Sequence, residues 1–305
     1  MSELPFLGHE ELYRSLDALR AAGRLPHALI FLGPEGIGKQ LVARHLAKAL
    51  LCEAASEAPC GACRSCHLVA EGKHPDLWPI EPDNGRIKID AIRELKQGLT
   101  LAPLVGRCRV VLMPEAQALN AAAANALLKT LEEPPPATYF LLGSHAAGWV
   151  PRTILSRCQK LRCSPLPPEA LAEILRRQGK ESDARLLRWA QGSARLALLL
   201  GEAEGELPSL DQLWGDREAL DLASAYSLGQ ALNEPERLLP FLEGLLLEAH
   251  QYLTQGPDLP PRSFEALTFA ERILEFRREL RQNANPKLHL PRLLMFFREP
   301  LESRL

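Results

Sequence analysis

The first half of the chain alternates short apolar runs with longer stretches whose apolar residues recur at helical spacing. The apolar runs predict buried β-strands at Ala28–Leu32, Arg109–Met113 and Tyr139–Leu142. The periodic stretches predict α-helices at Leu41–Leu51, Ile89–Leu99 and Leu119–Glu133. Pro134 ends the last of these helices, because proline cannot continue the hydrogen-bond ladder. Alternation of this kind is typical of an α/β domain in which helices flank a parallel sheet.

The pattern changes after Cys163. The proline-rich stretch Ser164–Pro168 predicts a linker, and short helical patterns then continue to about residue 202. After a polar interval, leucine-rich helical patterns extend nearly to the end of the sequence. We therefore expect three domains, with an α/β domain over residues 1–163, a small helical domain over residues 164–203 and a helical domain over residues 204–305.

Composition and charge narrow the class of protein. The sequence has 305 residues, 46% hydrophobic and 24% charged, as in ordinary globular proteins. Its formal net charge of −2 argues against a free-standing nucleic-acid-binding protein, which usually has a strongly basic face. No run approaches the ~18–20 apolar residues of a membrane span, and the first residues lack the features of a secretion signal. We expect a cytoplasmic, reducing location, where the seven cysteines are thiols or metal ligands.

A glycine-rich loop follows the first predicted strand and leads into a helix, which is the context of a phosphate-binding P-loop. The loop fits the pattern G-x-x-x-x-G-K up to its lysine, and a glutamine then replaces the usual Ser or Thr ligand of Mg²⁺. The residues are Gly33, Gly36, Gly38, Lys39 and Gln40. Backbone N–H groups at a helix N-terminus, together with the Lys39 charge, suit an anion such as sulfate, phosphate or a nucleotide.

The second anchor of a P-loop magnesium ion is normally an acidic pair at the end of an apolar strand. Here the strand Arg109–Met113 runs into Pro114 and Glu115, so the metal-supporting aspartate is absent. Glu115 stands where a water-activating carboxylate would lie. Because hydrolysis needs Mg²⁺ to bridge the phosphates, we expect no independent ATPase activity. The sequence leaves open whether the loop binds a nucleotide weakly or is retained for its shape.

Four cysteines have the spacing of a zinc module. Cys60, Cys63 and Cys66 form a C-x2-C-x2-C pattern, and Cys52 lies eight residues upstream of it. Four thiolates complete a tetrahedral Zn²⁺ site and leave no position for water, so we predict one structural zinc ion. The alternatives are a redox cysteine pair, unliganded thiols, or a site in which His67 or His74 replaces Cys52. For the remaining three cysteines we predict a role as small buried hydrophobic residues, at Cys108, Cys158 and Cys163.

Several motifs carry a resemblance to one family. The segment Asn125–Pro135 resembles the helix that follows the acidic strand in clamp-loader ATPases, and Thr153–Cys158 resembles their S-R-C motif. Gly192–Arg195 resembles the second-sensor motif of the lid, and the cysteine spacing is similar to the zinc module of the bacterial members. Over about residues 5 to 200 the chain resembles the AAA+ clamp loaders of bacterial DNA polymerase III.

The resemblance implies a fold and a set of partners. It implies an AAA+ P-loop domain with an inserted zinc module (residues 52–66), then a helical lid and an all-α collar, to which Asn283–Pro286 is similar. It also implies membership of a five-membered ring with gamma/tau-like motor subunits and a delta-like subunit. Such a ring opens the sliding clamp and places it on primed DNA.

The resemblance also implies roles for individual residues. The S-R-C arginine of the family, Arg157 here, projects into the ATP site of the neighbouring subunit as an arginine finger. Ser144 stands at the position of a polar first sensor, and Arg195 at that of the second-sensor arginine. With its degenerate metal site, the chain is expected to be a non-hydrolysing ring member that activates a neighbour.

Two rival hypotheses remain at this point. One is an active ATPase motor subunit, gamma/tau-like, of the same complex. The other is an unrelated P-loop protein whose zinc module binds nucleic acid directly. The formal net charge of −2 argues against this second hypothesis.

Overall fold

The computed structural model describes residues 4–54, 58–202, 232, 235–254, 263–281 and 293. It divides the chain into two compact units, Met1–Leu166 and Pro167–Leu305. Within the described residues, no helix is both long enough and apolar enough to span a membrane.

The first unit is built on one parallel sheet of five strands. The strands are β1 (Ala28–Leu32), β2 (Leu77–Pro79), β3 (Arg109–Met113), β4 (Thr138–Ser144) and β5 (Gln159–Arg162). Their order across the sheet is β2-β3-β4-β1-β5, and every neighbouring pair is parallel. Strand β1 therefore lies between β4 and β5, with Leu29 opposite both Leu141 and Gln159.

The predicted strands are confirmed. Strands β1 and β3 have the predicted bounds, and β4 is longer than its apolar run at both ends. Strand β2 contains Pro79, which lacks the N–H that a central strand needs, and it lies at an edge of the sheet. Strand β5 has no apolar run, but its backbone pairs with β1 along the opposite edge.

Helices cover both faces of the sheet, as the sequence predicts. The helices of this unit are α1 (Glu10–Ala21), α2 (Lys39–Leu51), α3 (Arg64–Ala70), α4 (Ile89–Gly98), α5 (Ala121–Glu132) and α6 (Arg152–Leu155). The side chain of Asn120 caps α5 by accepting a 2.7 Å hydrogen bond from the N–H of Ala123. The observed α2, α4 and α5 match the predicted helices within a few residues at each end.

Alternating strand residues build two separate cores. Ile30, Val111 and Phe140 point to one face of the sheet, where they pack with Ile92 of α4 and Leu127 of α5. The other face carries the intervening strand residues together with residues of α1 and α2, among them Leu29, Phe31, Leu141, Leu16 and Leu46. Burial of both faces explains why these strands are continuously apolar.

The second unit is helical throughout its described part. Its helices are α7 (Pro168–Arg177), α8 (Ala184–Trp189), α9 (Ala194–Glu202), α10 (Pro235–Thr254) and α11 (Ser263–Arg281). Trp189 of α8 packs edge to face on Phe241 of α10, with ring centroids 5.9 Å apart. The predicted start of the third domain, at residue 204, and the segment Asn283–Pro286 lie outside the described residues. The three-domain division thus stays a prediction.

Candidate functional site

The glycine-rich loop connects β1 to α2 at the carboxyl end of the sheet. Gly36 and Gly38 have φ angles of 76° and 96°, which are left-handed conformations that favour glycine. A Cβ atom on Gly33 would lie 2.2 Å from the carbonyl oxygen of Cys163, so this position also requires glycine. Gly38 is the N-cap residue of α2, and the loop therefore leads directly into the helix N-terminus.

The lysine of the loop is held by the loop itself. Lys39 Nζ donates hydrogen bonds to the carbonyl oxygens of Gly33, at 2.8 Å, and Pro34, at 2.5 Å. Burial lowers the pKa of Lys39, while the neighbouring Cys163 and Glu35 act in the opposite direction. An anion that bound here would have to compete with these carbonyl groups for the ammonium group.

A buried histidine, the N-cap residue of α1, contacts the backbone of the loop. His9 is 5% exposed, and its Nε2 lies 2.8 Å from the carbonyl oxygen of Ile37. Because a carbonyl oxygen only accepts, Nε2 carries the proton and donates it. No motif in the sequence indicates this role, since 28 residues separate the two partners.

Of the predicted strand-end acid, Glu115, and the predicted first sensor, Ser144, the first is exposed and the second is buried. Glu115 is exposed and precedes a short 3₁₀ helix over Ala116–Ala118. Ser144 is buried at the end of β4, where its carbonyl oxygen accepts a 3.3 Å hydrogen bond from the N–H of Gly33. The Ser144 hydroxyl donates to the carbonyl of Ala146, at 3.0 Å. The structure thus brings Ser144 to the loop, but its hydroxyl already has a partner.

The two remaining predicted nucleotide-site residues are both exposed. Gln40 is the second residue of α2. Arg195 is the second residue of α9, in the other unit.

The four predicted cysteines come together in one cluster. The Sγ atoms of Cys52, Cys60, Cys63 and Cys66 all lie within 4.8 Å of one another, and those of Cys52 and Cys63 are 3.9 Å apart. Ligand bonds of ~2.3 Å in a tetrahedral zinc site place sulfur atoms about 3.8 Å apart. The residues therefore fit a four-thiolate zinc site, and neither His67 nor His74 belongs to the cluster.

Backbone N–H groups point at the sulfur atoms of the cluster. The N–H groups of Cys60, Cys63 and Cys66 donate to the Sγ atoms of Cys52, Cys60 and Cys63, at 3.3–3.4 Å. Hydrogen bonds from Ala62 and Cys63 lower the pKa of the Cys60 thiol to about 6. Burial raises the pKa of the Cys66 thiol to about 12. A bound metal cation would favour the thiolate at both positions.

A chain of hydrogen bonds leads away from the cluster. Next to Cys66, Ser65 accepts through its hydroxyl a hydrogen bond from His74 Nε2, at 3.2 Å. The N–H of Asp76 donates to His74 Nδ1, at 3.1 Å. His74 is 2% exposed, and both of its ring nitrogens are used in this network.

The Asp76 carboxylate closes a distant loop. It accepts hydrogen bonds from the N–H groups of Leu104, at 2.6 Å, Val105, at 2.9 Å, and Gly106, at 2.7 Å. Burial by itself would raise the pKa of Asp76, but these three bonds outweigh it and lower the pKa. The loop exposes the side chains of Leu104 and Val105.

The three other cysteines are buried, as predicted for small hydrophobic residues. Cys108, Cys158 and Cys163 are each at most 8% exposed. Burial raises the pKa of each thiol to about 11, so all three are protonated near neutral pH.

Arg157 lies just after α6, and its side chain is 28% exposed. Its Nε donates to Oε1 of Glu132, at 2.7 Å, and its NH2 group donates to the same oxygen. Its NH1 group donates to the carbonyl oxygen of Thr153, at 2.9 Å, and to the Ser156 hydroxyl, at 3.2 Å. The sequence motif locates the arginine but gives no indication of Glu132.

The order of the parallel strands, with a glycine-rich loop after β1, which lies between β4 and β5, defines a P-loop α/β protein of the AAA+ type. A family model described as DNA polymerase III, delta subunit, matches residues 8–167. A DNA polymerase III subunit delta' from Pseudomonas aeruginosa is 41% identical over 55% of this chain and 53% of its own length. The delta' subunit from Yersinia pestis is 34% identical over 78% of this chain and 74% of its own length. The chain belongs to the delta' family of DNA polymerase III clamp-loader subunits.

Tau subunits of DNA polymerase III are also similar to this chain. The DNA polymerase III subunit tau from Escherichia coli is 36% identical over 72% of this chain and 37% of its own length. A solved gamma-subunit-related protein from Thermotoga maritima has a TM-score of 0.51 at 18% identity and covers 95% of this chain and 98% of its own, which supports the fold alone. The chain spans about half the length of the Pseudomonas relative and about a third of tau.

Proposed function

We propose that this chain is a clamp-loader subunit that does not hydrolyse ATP and that supplies Arg157 to the ATP site of a neighbouring subunit. The observation that carries the proposal is the loss of both protein anchors for magnesium, at Gln40 and Pro114, in a chain that keeps the S-R-C arginine. Phosphoryl transfer depends on a metal ion that bridges the β- and γ-phosphates. Without it, Glu115 has little to act on.

The loop geometry supports the same conclusion. Mg²⁺ requires close octahedral coordination by oxygen atoms at 2.0–2.1 Å. Gln40 offers a neutral amide on a longer side chain, and it is exposed. Lys39 Nζ donates hydrogen bonds to the carbonyl oxygens of Gly33 and Pro34, with which a phosphate group would have to compete. Weak binding of a nucleotide or another anion remains compatible with the loop, because its glycine conformations and helix N-terminus are intact.

The arginine has the properties that a role in trans requires. A guanidinium group is permanently charged and offers forked donors that suit phosphate oxygens. In GTPases an arginine finger accelerates hydrolysis ~10³–10⁵-fold. We expect a smaller effect here, because the neighbouring motor subunit has its own catalytic residues.

The partners follow from the family. They are gamma/tau-like motor subunits and a delta-like subunit in a five-membered ring, which acts on the sliding clamp and primed DNA in the cytoplasm. In this proposal the helices after residue 166 serve as the lid, which carries Arg195, and as the oligomerising collar. The four cysteines hold one structural zinc ion, which fixes a loop that has no core of its own.

The alternative is an active motor subunit. It is favoured by the intact G-x-x-x-x-G-K pattern of the loop and by the similarity to tau. An ATPase assay on the purified chain distinguishes the two: Mg²⁺-dependent turnover that Lys39→Ala abolishes would support the motor subunit.

The proposal is tested in a complex reconstituted with the motor and delta subunits of the same organism. Arg157→Ala should lower DNA-stimulated ATP turnover by the amount that one ATP site, the site Arg157 enters, contributes to the total. The variant chain should keep its fold. Arg152→Ala is the matched control, since Arg152 is an exposed arginine at the start of α6, five residues before Arg157 in the chain. Unchanged turnover with Arg157→Ala would refute the role in trans.

A further inference from the structure

Every nitrogen of the Arg157 guanidinium group has an acceptor within the chain. The two sides of the group differ in the kind of acceptor. NH1 is bonded to Thr153 and Ser156, which are local groups of the same turn. Nε and NH2 both point to a single oxygen of Glu132, which lies 25 residues away at the end of α5. The charged, long-range contact thus occupies the Nε–NH2 edge alone.

That edge is one of the two by which a guanidinium group binds a phosphate with paired donors, and the other edge shares its NH2 group. Forked recognition of phosphate uses two parallel N–H donors of one guanidinium edge. The local bonds of NH1 can persist while the opposite edge changes its partner. The Glu132 side chain is 48% exposed, so solvent reaches its carboxylate. The carboxylate would therefore be hydrated if it separated from Arg157.

We propose that Glu132 is a positioning residue, an internal counter-ion that holds Arg157 within its own subunit and competes with the neighbour's ATP for the Nε–NH2 edge. This inference rests on the proposed role of Arg157 in trans. A triphosphate carries more negative charge than one carboxylate, so it can displace Glu132 when the neighbour binds ATP. The arginine therefore becomes available only when a stronger anion is present.

The strength of the Arg157–Glu132 ion pair determines how far its removal should raise activity. An ion pair between exposed side chains changes an equilibrium constant by a factor of about 1.4 to 5. Glu132→Gln keeps an acceptor oxygen of nearly the same shape but removes the competing charge. Glu133→Gln is the matched control, because Glu133 is the next residue, is also exposed and makes no ion pair among the described residues.

The test uses the reconstituted complex and the part of its ATP turnover that Arg157→Ala removes. For this Arg157-dependent part, Glu132→Gln should raise kcat/KM for ATP about 1.4- to 5-fold, and Glu133→Gln should leave it unchanged. The effect of Glu132→Gln should vanish in an Arg157→Ala background, as a double-mutant cycle requires for a direct pair. Separate values of kcat and KM show whether the gain lies in ATP binding or in the chemical step.

The outcomes separate this inference from the proposed function. If Arg157→Ala lowers turnover but Glu132→Gln changes nothing, the competition is refuted and the role in trans stands. A loss of activity with Glu132→Gln would show that the carboxylate assists the arginine, which also refutes competition. If Arg157→Ala itself has no effect, both proposals fail. Glu132→Ala, which removes charge and acceptor together, should change activity in the same direction as Glu132→Gln.

Discussion

Replacing the buried Asp76 by asparagine is expected to destabilise the first unit. Asp76 is only 1% exposed, and its carboxylate accepts hydrogen bonds from three successive backbone N–H groups, of Leu104, Val105 and Gly106. An asparagine side chain at this position would offer one acceptor oxygen, and its NH2 group would face at least one of these donors. Hydrogen bonds to a charged group contribute about 1.5–3 kcal/mol each, and an unsatisfied buried donor costs about 1–3 kcal/mol. We expect Asp76→Asn to lower the free energy of unfolding by about 2–4 kcal/mol.

The measurement is urea unfolding of the full chain at pH 7, followed by circular dichroism, with hydrogen exchange of the three amides as a local readout. The control is Asp90→Asn, since Asp90 has an exposed side chain in the first turn of α4 and should contribute less than about 1 kcal/mol. In Asp76→Asn, the amides of Leu104, Val105 and Gly106 should exchange faster than in the wild type. An unfolding midpoint equal to that of the wild type would refute the reasoning.

The pH dependence of this difference has a definite sign. The folded state lowers the pKa of Asp76, so the folded chain binds a proton less readily than the unfolded chain, in which an aspartate has a pKa of about 3.9. The stabilisation is therefore fully present above about pH 5 and is lost as the pH falls through the lower, folded pKa. A difference between wild type and Asp76→Asn that persisted undiminished at pH 2 would contradict this assignment.

Two further predictions concern the cysteine cluster and the glycine-rich loop. Protein purified without a chelator should contain about one zinc ion per chain, measured by elemental analysis. The Cys66→Ser variant should lose the metal and have a lower Tm. Wild-type protein that is fully folded and free of metal would contradict the proposed zinc site. Gly33→Ala should destabilise the chain by about 1–3 kcal/mol in urea unfolding, because the new Cβ meets the backbone oxygen of Cys163 at 2.2 Å. Gly148→Ala is its control and should be nearly neutral, because a Cβ at this position would have no atom within 4 Å apart from its neighbours in the chain.

Much of the fold could be predicted because its signals are local. Strands β1 and β3 are continuously apolar, since both of their faces are buried, and their bounds follow from the sequence. Strand β5 could not be found in this way. Its residues Gln159 to Arg162 are mostly exposed, and its place in the sheet depends on backbone pairing with β1 instead of side-chain burial.

The candidate site divides along the same line. The cysteine cluster is encoded within fifteen residues, Cys52 to Cys66, so its spacing predicts it. Glu132, the charged partner of Arg157, lies 25 residues away in the chain, and the three amides bound by the Asp76 carboxylate lie 28 to 30 residues away. The contact of His9 with Ile37 spans 28 residues. Such contacts depend on how the helices pack on the sheet, which the local pattern does not specify.

Helix α2 joins the two most recognisable features of the chain. Its N-cap is Gly38 of the glycine-rich loop, and its C-cap is Cys52 of the cysteine cluster, about 20 Å away for thirteen residues. Six of its side chains are buried, so the helix is fixed along its length and its two ends cannot shift independently. Because the helix is rigid, a change in the cysteine cluster at Cys52 acts on the same structural element whose first residues form the end of the glycine-rich loop.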